Sequence, residues 1–141
     1  GENLEKDLLK RLNVLDSTLD KIAHLDPLRI ISWKEKFQER LKALMGETEI
    51  DPARILQEAS ITADKLDINE EITRFKSHNL LFANAIKEGS SQGKKLNFIL
   101  QEMGREANTL GTKCQDAEIQ SLAILLKDEI ESMREQVMNI E

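Results

Sequence analysis

With 141 residues and a formal net charge of −6, the chain has room for one ordinary core and is too acidic to be a simple basic nucleic-acid module. A lone cysteine, Cys114, excludes an internal disulfide and suits a reducing, cytoplasmic setting. No apolar run nears the roughly 20 residues that cross a bilayer, and no signal-peptide core opens the sequence, so no membrane is expected.

Only six glycines and two prolines, no tyrosine and abundant Leu, Glu, Lys and Ala predict an all-α fold. The expected form is long antiparallel helices with coiled-coil-like packing. Leu4, Leu8, Leu12, Leu15, Leu19 and Ile22 recur every three or four residues, the seam of a first helix that reaches about Leu25. Asp26-Pro27 then carries a stop-and-restart signal, Asp to cap and Pro for the first helical position. Ile30, Trp33, Phe37, Leu41 and Leu44 continue the stripe to Gly46, so residues 1–48 read as an N-terminal helical hairpin.

Residues 49–141 read as a C-terminal helical region. Asp51-Pro52 opens a helix through Ile55, Leu56 and Ala59. Asp67-Ile68-Asn69-Glu70 has capping-box spacing and either begins a new helix or lies within a continuous one. Ile68, Ile72, Phe75, Asn79, Phe82 and Ile86 form the next stripe, with one polar member. Gly89-Ser90-Ser91-Gln92-Gly93 is a flexible loop. Beyond it Leu96, Ile99 or Leu100, Met103, Ala107 and Leu110 mark a helix ending near Gly111. Asp116 caps a last one carrying Ile119, Leu122, Leu126, Ile130, Met133, Val137 and Ile140. Rods of about 30 Å with narrow apolar stripes predict association between copies.

Two polar groups stand out. Glu71, Arg74 and His78 share a helix face at steps of three and four; so do Glu102 and Glu106, and Gln101 and Arg105, with Asn108 and Thr109 nearby. If the two helices are antiparallel across the glycine-flanked loop, His78 lies near the level of Glu102 or Glu106. Carboxylates with one imidazole suit a divalent metal ion, Mn²⁺ or Mg²⁺ before Zn²⁺, with Glu71, His78, Glu102 and Glu106 as ligands. Ion pairs on a solvated helix have the same spacing, which leaves both readings open.

Arg74, Lys94, Lys95 and Lys113, with Lys76 and Arg105, make a basic strip suited to phosphate. Aromatic interleaving for base stacking is sparse, and Trp33, Phe37, Phe75, Phe82 and Phe98 read as core or interface. His24 reads as a surface residue near a helix C-terminus. Cys114 has no histidine within a few residues, and phosphate loops, nucleophile elbows and dinucleotide fingerprints are missing from the sequence.

The run from Gly93 to Met103 followed by Arg105-Glu106-Ala107-Asn108-Thr109 resembles the hallmark of the YicC/YloC family. So do Asp67 to Ile72 with Ser77-His78, Asp116 to Ile119, and the ending Met133-Arg134-Glu135-Gln136-Val137 with Asn139-Ile140-Glu141. The resemblance implies a bacterial, metal-dependent endoribonuclease acting on RNA and assembling as a homohexamer. It also implies an N-terminal α/β domain that precedes the part in hand. Matched residue by residue, the family's polar positions are Glu70, Glu71, Arg74, His78, Gln101, Glu102, Arg105, Glu106, Asn108, Thr109 and Lys113. Gly104 departs from a usual larger residue such as Asn, and Met138 from Gln. The resemblance does not assign individual roles; from the spacing read above, Glu102, Glu106, His78 and Arg105 are the expected catalytic set. A helical oligomerisation or RNA-binding scaffold, its catalytic groups in the other domain, is the rival expectation.

Overall fold

The computed structural model describes residues 2–46, 51–89 and 93–139. Ser90, Ser91 and Gln92 of the expected loop, and Ile140 and Glu141 at the end, lie outside the described residues. Five helices follow in order: α1 (Glu2–Met45), α2 (Pro52–Leu66), α3 (Asn69–Lys87), α4 (Gly93–Lys113) and α5 (Ala117–Met138). No strand occurs among the described residues, in agreement with the all-α expectation.

The first half of α1 joins α3, α4 and α5 in an up-and-down bundle in which α1 touches α3 and α5, and α4 touches the same two from the other side. The seam foreseen in α1 faces inward, with Leu8, Leu12, Leu15, Leu19 and Ile22 all buried. Phe75 and Phe82 from α3, Leu100, Met103 and Leu110 from α4, and Ile119 and Leu126 from α5 complete the core. Polar pairs fix the relative heights of the rods. Asn79 of α3 donates its Nδ2 to Asp16 of α1 at 2.8 Å, and Arg11 of α1 reaches Glu129 of α5 at 3.1 Å.

The break expected at Asp26-Pro27 does not occur, because α1 runs 44 residues straight through it. Pro27 removes one backbone donor and would ordinarily break a helix at a cost of about 3 kcal/mol. Here the adjoining turn is clamped from its side. Arg29, buried, donates Nε to Asp26 at 2.8 Å, Nη1 to the Cys114 carbonyl at 2.8 Å, and Nη2 to the Leu66 carbonyl. Asp26 therefore holds an arginine instead of capping a new helix, and its carboxylate and the guanidinium neutralise each other in the interior.

α2 lies beside the second half of α1, where Phe37 and Leu41 share a groove with Ile55, Leu56 and Ala59, outside the four-helix core. Asp51 caps α2 as foreseen, accepting from the Ala53 amide at 3.0 Å. The capping-box segment does break the helix. Asp67 accepts from Asn69 N at 2.9 Å, a tight local turn that separates α2 from α3. Asp116 caps α5 through the Ile119 amide at 2.9 Å. α4 continues past Gly111, where a Cβ would stand 3.4 Å from that of Ala123, so the glycine lets α4 and α5 approach closely.

Candidate functional site

Between α3 and α4 an ion-pair cluster is built around two buried carboxylates, Glu71 and Glu106. Their positions follow from the stripes beside them: Glu71 adjoins Ile72, and Glu106 adjoins Ala107, both core residues. Arg74 Nε lies 3.1 Å from both oxygens of Glu106. One turn earlier in α3, Glu70 accepts from Nη1 of the same guanidinium, while Nη2 stands 3.7 Å from Glu71 Oε1. Lys113, at the end of α4, closes the cluster with its Nζ 2.7 Å from Glu71 Oε1 and 3.5 Å from the Asp67 carbonyl.

The hydrogen bond to Glu106 holds the Arg74 guanidinium above its ordinary pKa; partial burial opposes this, and the charges of Glu106, Glu70 and Glu71 reinforce it. Both cations keep an outer surface, with 45% of the Arg74 side chain and 33% of that of Lys113 exposed. Glu106 and Glu71 thus grip the two cations from the inside, Glu70 holds Arg74 Nη1 from the exposed side, and both cations keep a partly exposed surface.

The Arg74–Glu106 pair sets the register of α3 against α4. One turn toward the connecting loop on each helix, it brings His78, half-buried, to the level of Glu102. Glu102 is paired instead with Arg105 of its own helix at 3.7 Å. The expected ligand set of Glu71, His78, Glu102 and Glu106 does not assemble around one ion: among the described residues no three His, Cys, Asp or Glu side chains are placed to hold one. The physical reason is occupancy by protein cations. Arg74 and Lys113 engage Glu106 and Glu71, leaving Glu71 Oε2 as a buried oxygen with no donor among the described residues. A divalent ion does not fit this cluster as one chain arranges it.

The basic strip divides as well. Lys94 and Lys95 are exposed at the start of α4, about 28 Å of helix rise from Lys113 at its end. Lys76 pairs with Asp20 of α1 at 2.6 Å. Arg105 projects from another face of α4, where Gln101, Gly104 and Asn108 meet Lys127 and Glu131 of α5. The single polar site suggested by α4 is therefore two surfaces, one shared with α3 and one with α5. Cys114 is buried, its Sγ 3.5 Å from the Gly111 carbonyl. Sequence reading missed Arg29, whose buried interactions reach 85 residues along the chain, and gave no reason to join Glu70 to Arg74 beyond their four-residue step.

A family model described as "Endoribonuclease YicC-like, C-terminal" matches residues 22–141. The chain is 39% identical over its whole length to a probable endoribonuclease YicC of Clostridioides difficile, and 35% identical to a protein of the same name from Haemophilus influenzae. It spans 48% of each, about half the length of these relatives. No helix among the described residues is long and apolar enough to cross a membrane. Matched from residue 22 to 141, most of its length, the chain belongs to the endoribonuclease YicC-like C-terminal family.

Proposed function

We propose that this chain is the C-terminal helical portion of an endoribonuclease, and that the α3–α4 cluster engages the RNA backbone at the cleaved phosphodiester. The observation that carries this reading is the bracing of Arg74 and Lys113 by buried Glu106 and Glu71, which fixes the direction of two cations that stay partly exposed. Cations fixed before the substrate arrives stabilise charge that builds on phosphate oxygens during cleavage, with little reorganisation. Glu71 and Glu106 are positioning residues in this scheme. His78 is the one imidazole of the set, and it is given the proton transfer at the attacking or the leaving oxygen. No step runs through the divalent ion that the family resemblance implies, since the cluster does not supply its ligands. Exposed Leu80, Leu81, Phe98, Ile124 and Leu125 support association of copies into the expected homo-oligomer.

The test is single-turnover cleavage of an end-labelled RNA by this chain joined to the family's N-terminal domain. His78→Ala should slow cleavage by about a hundredfold with the melting temperature little changed, and Lys113→Met should slow it as much while lowering the melting temperature, because it strands the buried Glu71 carboxylate. Unimpaired cleavage by both variants removes the assignment. The internal pairing of every carboxylate in the cluster favours one second reading, in which the cluster only fastens α3 to α4 and the chain is a scaffold. In that case both variants cleave normally, and the stability lost in Lys113→Met is the whole of its effect.

A further inference from the structure

A second polar crevice lies well away from that cluster, where the clamped turn of α1 meets the ends of α2 and α4. It encloses about 280 Å³ and is lined on the α1 side by Arg29, Ser32, Trp33, Lys36, Phe37 and Arg40. That volume sits at the lower edge of ordinary ligand sites, roughly 300–1,000 Å³, a size for one unit of a ligand and not for a folded element. These α1 residues form one stripe, and no acid interrupts it; Glu35 and Glu39 do not line the crevice. The opposite wall carries Leu66, Cys114, Gln115 and Asp116. The wall's one acid, Asp116, accepts from the Ile119 amide as the cap of α5, and the nearby Asp26 is paired with Arg29.

Trp33 and Phe37 stack on each other with centroids 5.2 Å apart and planes inclined by 17°. Both rings remain half-buried rather than enclosed, although the core a few residues earlier in the same helix seals its apolar side chains. An aromatic pair beside two exposed cations combines the two elements by which proteins hold single-stranded nucleic acid: a face for a base and charges for the flanking phosphates. In a chain of net charge −6 this is a local positive site with an aromatic floor. We infer that the crevice is an accessory RNA site that takes an unpaired nucleotide, its base against Trp33 and Phe37 and its phosphates at Lys36 and Arg40.

The inference rests on RNA being the substrate class, as proposed above, but places the strand on a different part of the chain. Trp33 is the chain's one tryptophan and lines both this crevice and the apolar groove against α2, so its emission reports on this part of α1. The experiment titrates the 141-residue chain with a single-stranded RNA of about 12 nucleotides, within the length that a stacking groove covers. Trp33 emission should be quenched saturably, and Lys36→Ala/Arg40→Ala should raise the midpoint at least about tenfold with an unchanged melting temperature. Labelled RNA binding the chain while Trp33 emission stays constant overturns the inference and leaves the α3–α4 reading intact. Failure to bind at all overturns it too, as does equal quenching by a fully paired duplex, which has no base to offer. Loss of cleavage in the His78 and Lys113 variants is read separately, so either proposal can fail without the other.

Discussion

Arg74 Nε stands 3.1 Å from both oxygens of Glu106, across the seam between α3 and α4. The carboxylate is buried and the guanidinium is not, which makes the two substitutions unequal. Replacing Arg74 with Leu leaves a buried acid facing no partner, whereas replacing Glu106 with Gln keeps a hydrogen-bonding group of the same shape. Arg74→Leu should therefore lower the melting temperature more than Glu106→Gln, and the double variant should lose less than the two single losses added together. Additive losses in a double-mutant cycle by chemical denaturation would show that the pair is not coupled.

The clamp at Pro27 gives a larger effect. Arg29→Ala strands the buried Asp26 carboxylate and two carbonyls, from Leu66 and Cys114, at once. Breaking a buried pair on one side costs about 3–5 kcal/mol, and equilibrium urea unfolding should read a loss of that order. A change below about 1 kcal/mol would mean that the clamp is not what carries the helix through the proline.

The interior of this bundle was largely legible before any coordinates, because a seam such as Leu8, Leu12, Leu15, Leu19 and Ile22 is written in local spacing. Caps at Asp51 and Asp116 are local for the same reason. Pro27 was not legible, since the groups that keep it inside α1 lie 37 and 85 residues from Arg29. Nor did the sequence reveal which neighbour each polar face of α4 meets. Glu106 and Arg105 are consecutive, yet one turns to Arg74 of α3 and the other lies beside Lys127 and Glu131 of α5. Metal-ligand spacing is equally ambiguous, because the cations that occupy those carboxylates come from α3 and from the far end of α4.

Gly104 and Gly111 are both helical, but they separate by what surrounds them. A Cβ at Gly104 meets nothing within 4 Å, whereas one at Gly111 comes to 3.4 Å from Ala123 Cβ. Gly104→Ala should stabilise the chain by about 0.5–1 kcal/mol through helix propensity alone. At Gly111 a side chain longer than Ala must force α4 and α5 apart, so Gly111→Leu should destabilise by about 1–3 kcal/mol. Urea midpoints moving in the same direction for both variants would contradict this contrast.

Acid should loosen the contact between α1 and α5 first. Asp7 accepts from Gln136 and stands 3.5 Å from Arg11, and the Gln136 hydrogen bond, ahead of the arginine's charge, holds its carboxyl below the ordinary value of 3.8. Glu131 is likewise held below 4.5 by its hydrogen bond from Arg134. A depressed carboxyl binds its proton more readily in the unfolded chain, so its stabilisation is complete above the unfolded pKa and drains away as pH falls through the folded one. The melting temperature should accordingly be flat on the alkaline side of about pH 5 and fall toward pH 3. Asp7→Asn keeps an acceptor for Gln136 but has no proton to gain, so its fall over that interval should be shallower than that of the unchanged chain. Parallel curves for the two proteins would show that this carboxylate does not contribute to the acid sensitivity of the bundle.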